Sequence, residues 1–274
     1  MARLLDRLDA DTRAEIRATA HALADAARSA TLRHFRRPGL ARDNKDVTGG
    51  FDPVTAADRE AETAMRAILA ERRPEDGILG EEFPDTPSIS GLTWVIDPID
   101  GTRGYISGTP TWGVLIAVTD AAGPFHGLID QPHIGERFEG GLGTARLTGP
   151  RGETPLRTAP TKDLADAILY STFPEIGTAG ERRAFEQVAR RCRLVRFGLD
   201  CYAYGLLAAG HVDLVIEAGL KPYDIQAPIA VIEAAGGIVT DWEGRPAHGG
   251  GRVLAAANTA LHAAALAVLA GACD

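Results

Sequence analysis

Asp97 and Asp100 stand three residues apart in the stretch Trp94-Val-Ile-Asp-Pro-Ile-Asp-Gly-Thr102. Pro98 between them has its φ fixed, so the turn that carries both carboxylates is stiff. Two carboxylates held that way repel each other unless a cation lies between them. Hard oxygen ligands of this kind suit Mg²⁺ or Mn²⁺ better than zinc. Gly101 lets the backbone come close to a ligand, and Thr102 adds a hydroxyl. A plainer reading also fits, in which both aspartates only cap backbone N–H groups of a turn.

Three further acidic stretches bear on the choice: Asp52-Pro-Val-Thr-Ala-Ala-Asp58, Gly80-Glu81-Glu82 and Pro222-Tyr-Asp224. Each has a structural reading of its own. Thr55 with Asp58 is a variant of the capping box. Glu81 and Glu82 end a strand as a solvated pair pointing to opposite faces. Asp224 stands where a helix N-cap belongs, with Pro228 in the first turn of that helix.

The elements that must position these acids follow from periodicity. Ile16, Leu23, Ala27 and Ala30 share one face of a helix over 11–35. A loop over 36–50 holds Lys45, read as a solvated charge. A helix follows Asp58, buries Ala61, Met65, Ile68 and Leu69, and stops at Pro74. Strands are expected at 78–82, 94–96, 112–118, 125–130 and 136–139. The Gly-, Pro- and Thr-rich stretch 140–160 is read as a boundary between two lobes, residues 1–150 and 151–274. Beyond it strands at 168–171, 194–197 and 214–216 alternate with helices at 181–191 and 203–209, which indicates an α/β layer. A helix from Asp224 ends at Gly236-Gly237. Strands at 238–240 and 253–256 follow, and Asn258 caps an Ala- and Leu-rich helix that packs on the sheet.

The chain has 274 residues and a net charge of −8, with no basic stripe, which argues against a nucleic-acid binder. Bound divalent cations reverse a local field, so a phosphorylated substrate stays open. Cys192, Cys201 and Cys273 are an odd set without metal-type spacing, which fits a reduced, cytoplasmic protein. The N-terminus lacks the apolar stretch of a signal peptide, and no segment reads as a membrane span. No Ser-His-Asp or Cys-His arrangement is apparent.

Taken in order, the four acidic stretches resemble the inositol monophosphatase family of metal-dependent, lithium-sensitive phosphatases, over about residues 14–272. Within it, Asp100-Gly-Thr-Arg-Gly-Tyr-Ile-Ser-Gly108, Asp200-Cys-Tyr-Ala-Tyr-Gly-Leu-Leu-Ala-Ala-Gly210 and Leu220-Lys-Pro-Tyr-Asp-Ile-Gln-Ala227 resemble the histidinol-phosphate phosphatases of the inositol-monophosphatase-like type. Arg103 and Tyr223 depart from the usual inositol monophosphatase pattern, which weakens the inositol substrate and leaves the metal chemistry intact.

The resemblance implies a layered αβαβα sandwich, an α+β lobe joined to an α/β lobe, and a homodimer. It implies Glu81, Asp97, Asp100, Asp224 and the Ile99 carbonyl as ligands of two or three Mg²⁺ ions. Asp58 and Thr102, with Glu81, then hold the attacking water in line with phosphorus. The N–H groups of Gly101 and Thr102 seat the phosphate. Arg103, Arg196, Asp200 and Glu217 fall on the substrate side, and histidinol phosphate carries an amine and an imidazole for the two acids. Other sugar or nucleotide phosphates remain alternatives, as does a non-catalytic binding member of the family.

Overall fold

The fold was obtained as a computed structural model that describes residues 4–37, 42–44 and 53–271. Lys45, Asp52 and Cys273 lie outside the described residues. The elements are α1 (Ala10–His34), β1 (Arg42–Asn44), β2 (Pro53–Thr55), α2 (Ala56–Arg72), β3 (Gly77–Gly80), β4 (Thr93–Asp100) and α3 (Thr102–Ser107). An antiparallel run follows: β5 (Gly113–Asp120), β6 (Gly123–Gln131), β7 (Glu136–Gly141), β8 (Thr144–Gly149) and β9 (Gly152–Pro155). The second half holds β10 (Ile168–Ser171), α4 (Ala179–Ala189), β11 (Leu194–Phe197), α5 (Cys201–Ala208), β12 (Leu214–Leu220), α6 (Pro222–Ala234), β13 (Ile238–Thr240), β14 (Gly251–Ala256) and α7 (Thr259–Ala270).

Two large sheets result. A seven-stranded sheet runs β3-β4-β5-β6-β7-β8-β9, with β3 and β4 parallel and the rest antiparallel. A five-stranded mixed sheet runs β11-β10-β12-β14-β13. Strand alternation sorts side chains to opposite faces. Trp94 and Ile96 of β4 and Val114, Ile116 and Val118 of β5 meet Ile16, Ala20, Leu23 and Ala27 of α1 and Met65 and Leu69 of α2. Val95, Leu115 and Ala117 point the other way, into a core shared with α5, α6 and the inner face of the second sheet. Helices α4 and α7 cover that sheet's outer face through Phe185, Val188, Leu261 and Leu269. The layers are therefore helix, sheet, helix, sheet, helix, as expected.

Several local expectations need correction. The strand read as 78–82 stops at Gly80, so Glu81 lies on the bend after it. Helix α3 was not anticipated; it has only six residues and opens from Gly101. The stretch 140–160 was read as a boundary, yet it forms β8 and β9, joined by a turn at Pro150-Arg151. Ala145 and Leu147 alternate toward the central core, which the Thr and Gly content masked. This hairpin spans the expected lobe boundary at 150/151 and keeps residues through Pro155 in the first sheet.

Helix α6 starts at Pro222, with Lys221 as its N-cap. Asp224 is therefore the third helical residue, and Pro228 falls in the second turn instead of the first. The β4 turn is also more regular than a loop: β4 continues through Asp100, with a bulge between Asp97 and Asp100 opposite Leu115 and Gly113. Such a bulge bends a strand and re-aims its side chains.

Candidate active site

The carboxyl ends of the parallel pair β3 and β4 deliver the first acids. Glu81 leaves β3, and the β4 bulge presents Asp97, Ile99 and Asp100. The Asp97 carboxylate accepts the Ile99 N–H at 3.0 Å, which sets the bulge. Three helices of the interior and front layers then aim their first turns at the same place. In α2, Asp58 completes a capping box: its Oδ2 accepts the Thr55 N–H at 2.8 Å and the Thr55 hydroxyl at 2.5 Å. In α5, the Cys201 N–H donates to Asp100 Oδ2 at 2.6 Å. In α6, Asp224 Oδ2 accepts the Lys221 N–H at 2.7 Å. The positive ends of these helices offset part of the carboxylate charge.

Asp97, Asp100 and Asp224 each offer an oxygen within 4.8 Å of the others. They come from both halves of the chain. Burial pushes the Asp97 carboxyl well above the usual range, and the charges of Glu81, Asp100 and Asp224 push it further. Burial does the same to Asp100, with Asp200 and Asp224 adding to it. Asp224 is pushed up to about 7, by burial first, against the Lys221 N–H that favours its charged form.

Carboxylates gathered out of water at these spacings are the donor set of a hard divalent cation, and the residues present fit Mg²⁺. The Ile99 carbonyl accepts the Thr102 hydroxyl at 3.0 Å and keeps a second lone pair.

Thr102 Oγ1 also lies 3.5 Å from Asp58 Oδ1. Asp58 is pushed up to about 6 by burial, against its hydrogen bonds from Thr55. The capping reading and the site reading of Asp58 are thus both realised, one on each oxygen. Gly101 sits at φ +82, and a Cβ there would meet Asp200 Cγ at 2.7 Å. Only glycine permits that turn and that approach.

A cleft of about 350 Å³ opens over these groups. Its walls include Glu81, Asp97, Asp100, Gly101, Thr102, Arg103, Asp200, Glu217 and Asp224, so every expected site residue but two lines it or forms its floor. Asp58 stands behind Thr102. Arg196 is different: it is exposed on β11, the edge of the second sheet, and does not line the cleft. The family resemblance put it on the substrate side, and in this chain the edge strand carries it outside the cleft lining.

Glu217 is pushed up to about 7 by burial, although Thr172 donates to it through N–H and hydroxyl, and Tyr204 through its hydroxyl at 3.2 Å. Asp200 is pushed up to about 6 by burial, opposed by Arg103. It has φ 49 and ψ −140, rare for a non-glycine residue.

Sequence reasoning missed Thr172, Phe173 and Glu175, which line the cleft just beyond β10. The usable signal was their position: loops at the carboxyl ends of strands in an α/β sheet carry ligand sites.

Known proteins resemble this chain in sequence and in fold. A "Bifunctional phosphatase IMPL2, chloroplastic" of Arabidopsis thaliana is 42% identical over 83% of the chain, which spans 64% of that protein's length. A histidinol-phosphatase of Streptomyces coelicolor is 36% identical over 89% of the chain and 92% of its own length. An inositol monophosphatase from Zymomonas mobilis superposes with a TM-score of 0.80 at 40% identity, over 92% of this chain and 96% of that one. The model of the inositol monophosphatase family matches residues 12–272, nearly the whole chain, and this protein belongs to that family.

Proposed function

We propose that the protein hydrolyses L-histidinol phosphate to L-histidinol and phosphate, with Mg²⁺ or Mn²⁺. The observation that carries the phosphatase reading is the convergence of Asp97, Asp100 and Asp224 within 4.8 Å at the floor of a cleft. The substrate reading is supported by the acids on the leaving-group side, Asp200 and Glu217, which complement an amine and an imidazole. The likeness to the Streptomyces histidinol-phosphatase supports it further.

A cation held by Glu81, Asp97, Asp100, Asp224 and the Ile99 carbonyl would lower the pKa of water and neutralise charge on the phosphate and the leaving oxygen. The chain's own groups do the rest. Asp58 orients the Thr102 hydroxyl, and with Glu81 this pair holds the attacking water and takes up its proton. The N–H groups of Gly101 and Thr102 at the start of α3 hold phosphate oxygens, and Arg103 beside them adds a guanidinium. Residues 1–150 then supply most of the cation site, and residues 151–274 supply the substrate wall and Asp224. The reading extends to histidine biosynthesis in the cytoplasm and to a homodimer, which light scattering tests.

A second reading is an inositol-1-phosphate phosphatase, favoured by the 40% identity to the Zymomonas protein. Steady-state kinetics with L-histidinol phosphate and inositol 1-phosphate, side by side with Mg²⁺, separate the two. The first reading expects kcat/KM at least tenfold higher for L-histidinol phosphate, about 1.4 kcal/mol of selectivity. Equal or reversed values contradict it.

A further inference from the structure

Among the described residues, the exposed large hydrophobic side chains are Leu32, Ile89, Phe173, Leu194 and Phe197. Phe173 is the one of them that lies in the wall of the cleft. It is 43% exposed, in a cleft whose walls also carry the acids Glu175, Asp200 and Glu217 and the ring of Tyr223. Its backbone is held on both sides. Thr172 before it is tied to Glu217 by two hydrogen bonds of 2.9 and 2.5 Å. Pro174 after it restricts the backbone of Phe173 itself. The ring is held as well: the Arg103 guanidinium lies over its face, 5.0 Å from the centroid. Arg103 follows Gly101 and Thr102 directly, so the ring stands one side chain away from the proposed phosphate seat.

We propose that Phe173 is a specificity-determining residue that selects phosphate esters whose alcohol carries a flat ring. This rests on the phosphatase reading of the cleft. An exposed, immobilised aromatic surface recognises another flat π system by offset or edge contact, and a polyol offers no such surface. The acids nearby, Glu175, Asp200 and Glu217, favour a ring that carries partial positive charge. An imidazole meets both conditions. A Phe that served only to fill space between the lobes would instead affect all esters alike.

The test is steady-state kinetics of Phe173→Ala, Phe173→Leu and Phe173→Tyr on L-histidinol phosphate, phenyl phosphate and glycerol 2-phosphate. An aromatic contact of ordinary strength corresponds to about a three- to tenfold effect. Phe173→Ala and Phe173→Leu are therefore expected to raise KM by that factor for the two ring-bearing esters. Their kcat should stay within about twofold, and glycerol 2-phosphate should be unaffected. Phe173→Tyr is expected to restore KM. Equal losses on all three esters, or unchanged KM for the ring-bearing pair, overturn the proposal. Should Phe173→Ala fail to fold, Phe173→Leu keeps the apolar volume and carries the same comparison. A wild-type protein that prefers inositol 1-phosphate defeats the histidinol phosphate reading alone; phenyl phosphate against glycerol 2-phosphate still decides the role of Phe173.

Discussion

Asp58 has two oxygens with two duties. One closes the capping box of α2 with Thr55, and the other faces Thr102. Changing Asp58 therefore disturbs a helix and a site together, and Thr102→Val is the cleaner probe of the water-orienting pair. It is expected to lower kcat by about 100-fold, the scale of a positioned proton acceptor, with Tm nearly unchanged. Asp97→Asn should abolish turnover for a different reason, loss of a cation ligand. It also removes a carboxylate from a group that repels itself, so Tm in EDTA should stay the same or rise. A folded Asp97→Asn variant with near-normal turnover contradicts the ligand assignment.

Asp200 gives a third case. Its backbone conformation costs on the order of 1–3 kcal/mol, and the side chain it aims stands over Gly101. Asp200→Gly should raise Tm while raising KM for L-histidinol phosphate several-fold. An unchanged KM would remove Asp200 from the substrate wall.

At the scale of elements, the site depends on how α6 is seated, because Asp224 lies in its first turn. The helix rests directly on the first sheet at Gly127 and Gly140, where a Cβ would meet the Ala227 carbonyl oxygen and the Ala230 carbonyl oxygen, each at 2.6 Å. Helix backbone there cannot give way as a flexible side chain can. Gly140→Ala is expected to cost about 1–3 kcal/mol by overpacking. It should also weaken Mg²⁺ binding through displacement of Asp224, measured by calorimetry.

Two features of the candidate site were legible in the sequence because they are local. The spacing of Asp97 and Asp100 and the pairing of Thr55 with Asp58 each lie within one turn of chain. Arg196 was misplaced because its exposure depends on which strand forms the sheet edge, a property of the whole sheet. Helix α3 escaped notice because six residues with glycine at both ends carry no periodic signal. The β8–β9 hairpin was hidden by loop-like composition, although Ala145 and Leu147 alternate.

At the scale of the molecule, the layer between α1 and the first sheet is not purely apolar. Glu139 of β7 receives Arg17 and His21 from α1 and Arg146 from β8 at 2.8–3.2 Å. Burial alone would raise its pKa, but the hydrogen bonds from His21 and Arg17 outweigh this and hold it well below the usual range. His126 beside it is fully buried, its Nδ1 against the Gly140 carbonyl at 3.0 Å. Burial lowers its pKa from 6.5 to about 4, with Arg17 and His21 adding to the fall and Glu139 opposing it. Between these values the unfolded chain binds the proton and the folded one does not, so the His126 contribution to stability is lost as pH drops from about 6.5 to 4, while the raised carboxyls of the cleft contribute in the opposite direction over the same range. The size of the His126 loss is on the order of 3 kcal/mol. His126→Phe should remove this contribution, so urea titrations should show the variant gaining stability relative to the wild type as pH drops from about 6.5 to 4; a difference that stays constant across that range would remove His126 as the cause.

The central claim is that acids from both halves of the chain build one cation-dependent phosphatase site. Phosphate release from L-histidinol phosphate, by protein stripped with EDTA and then titrated with Mg²⁺, tests it most directly. The account predicts no release above background after stripping, full recovery with Mg²⁺, and no recovery in Asp224→Asn. Undiminished release by the stripped protein would contradict it.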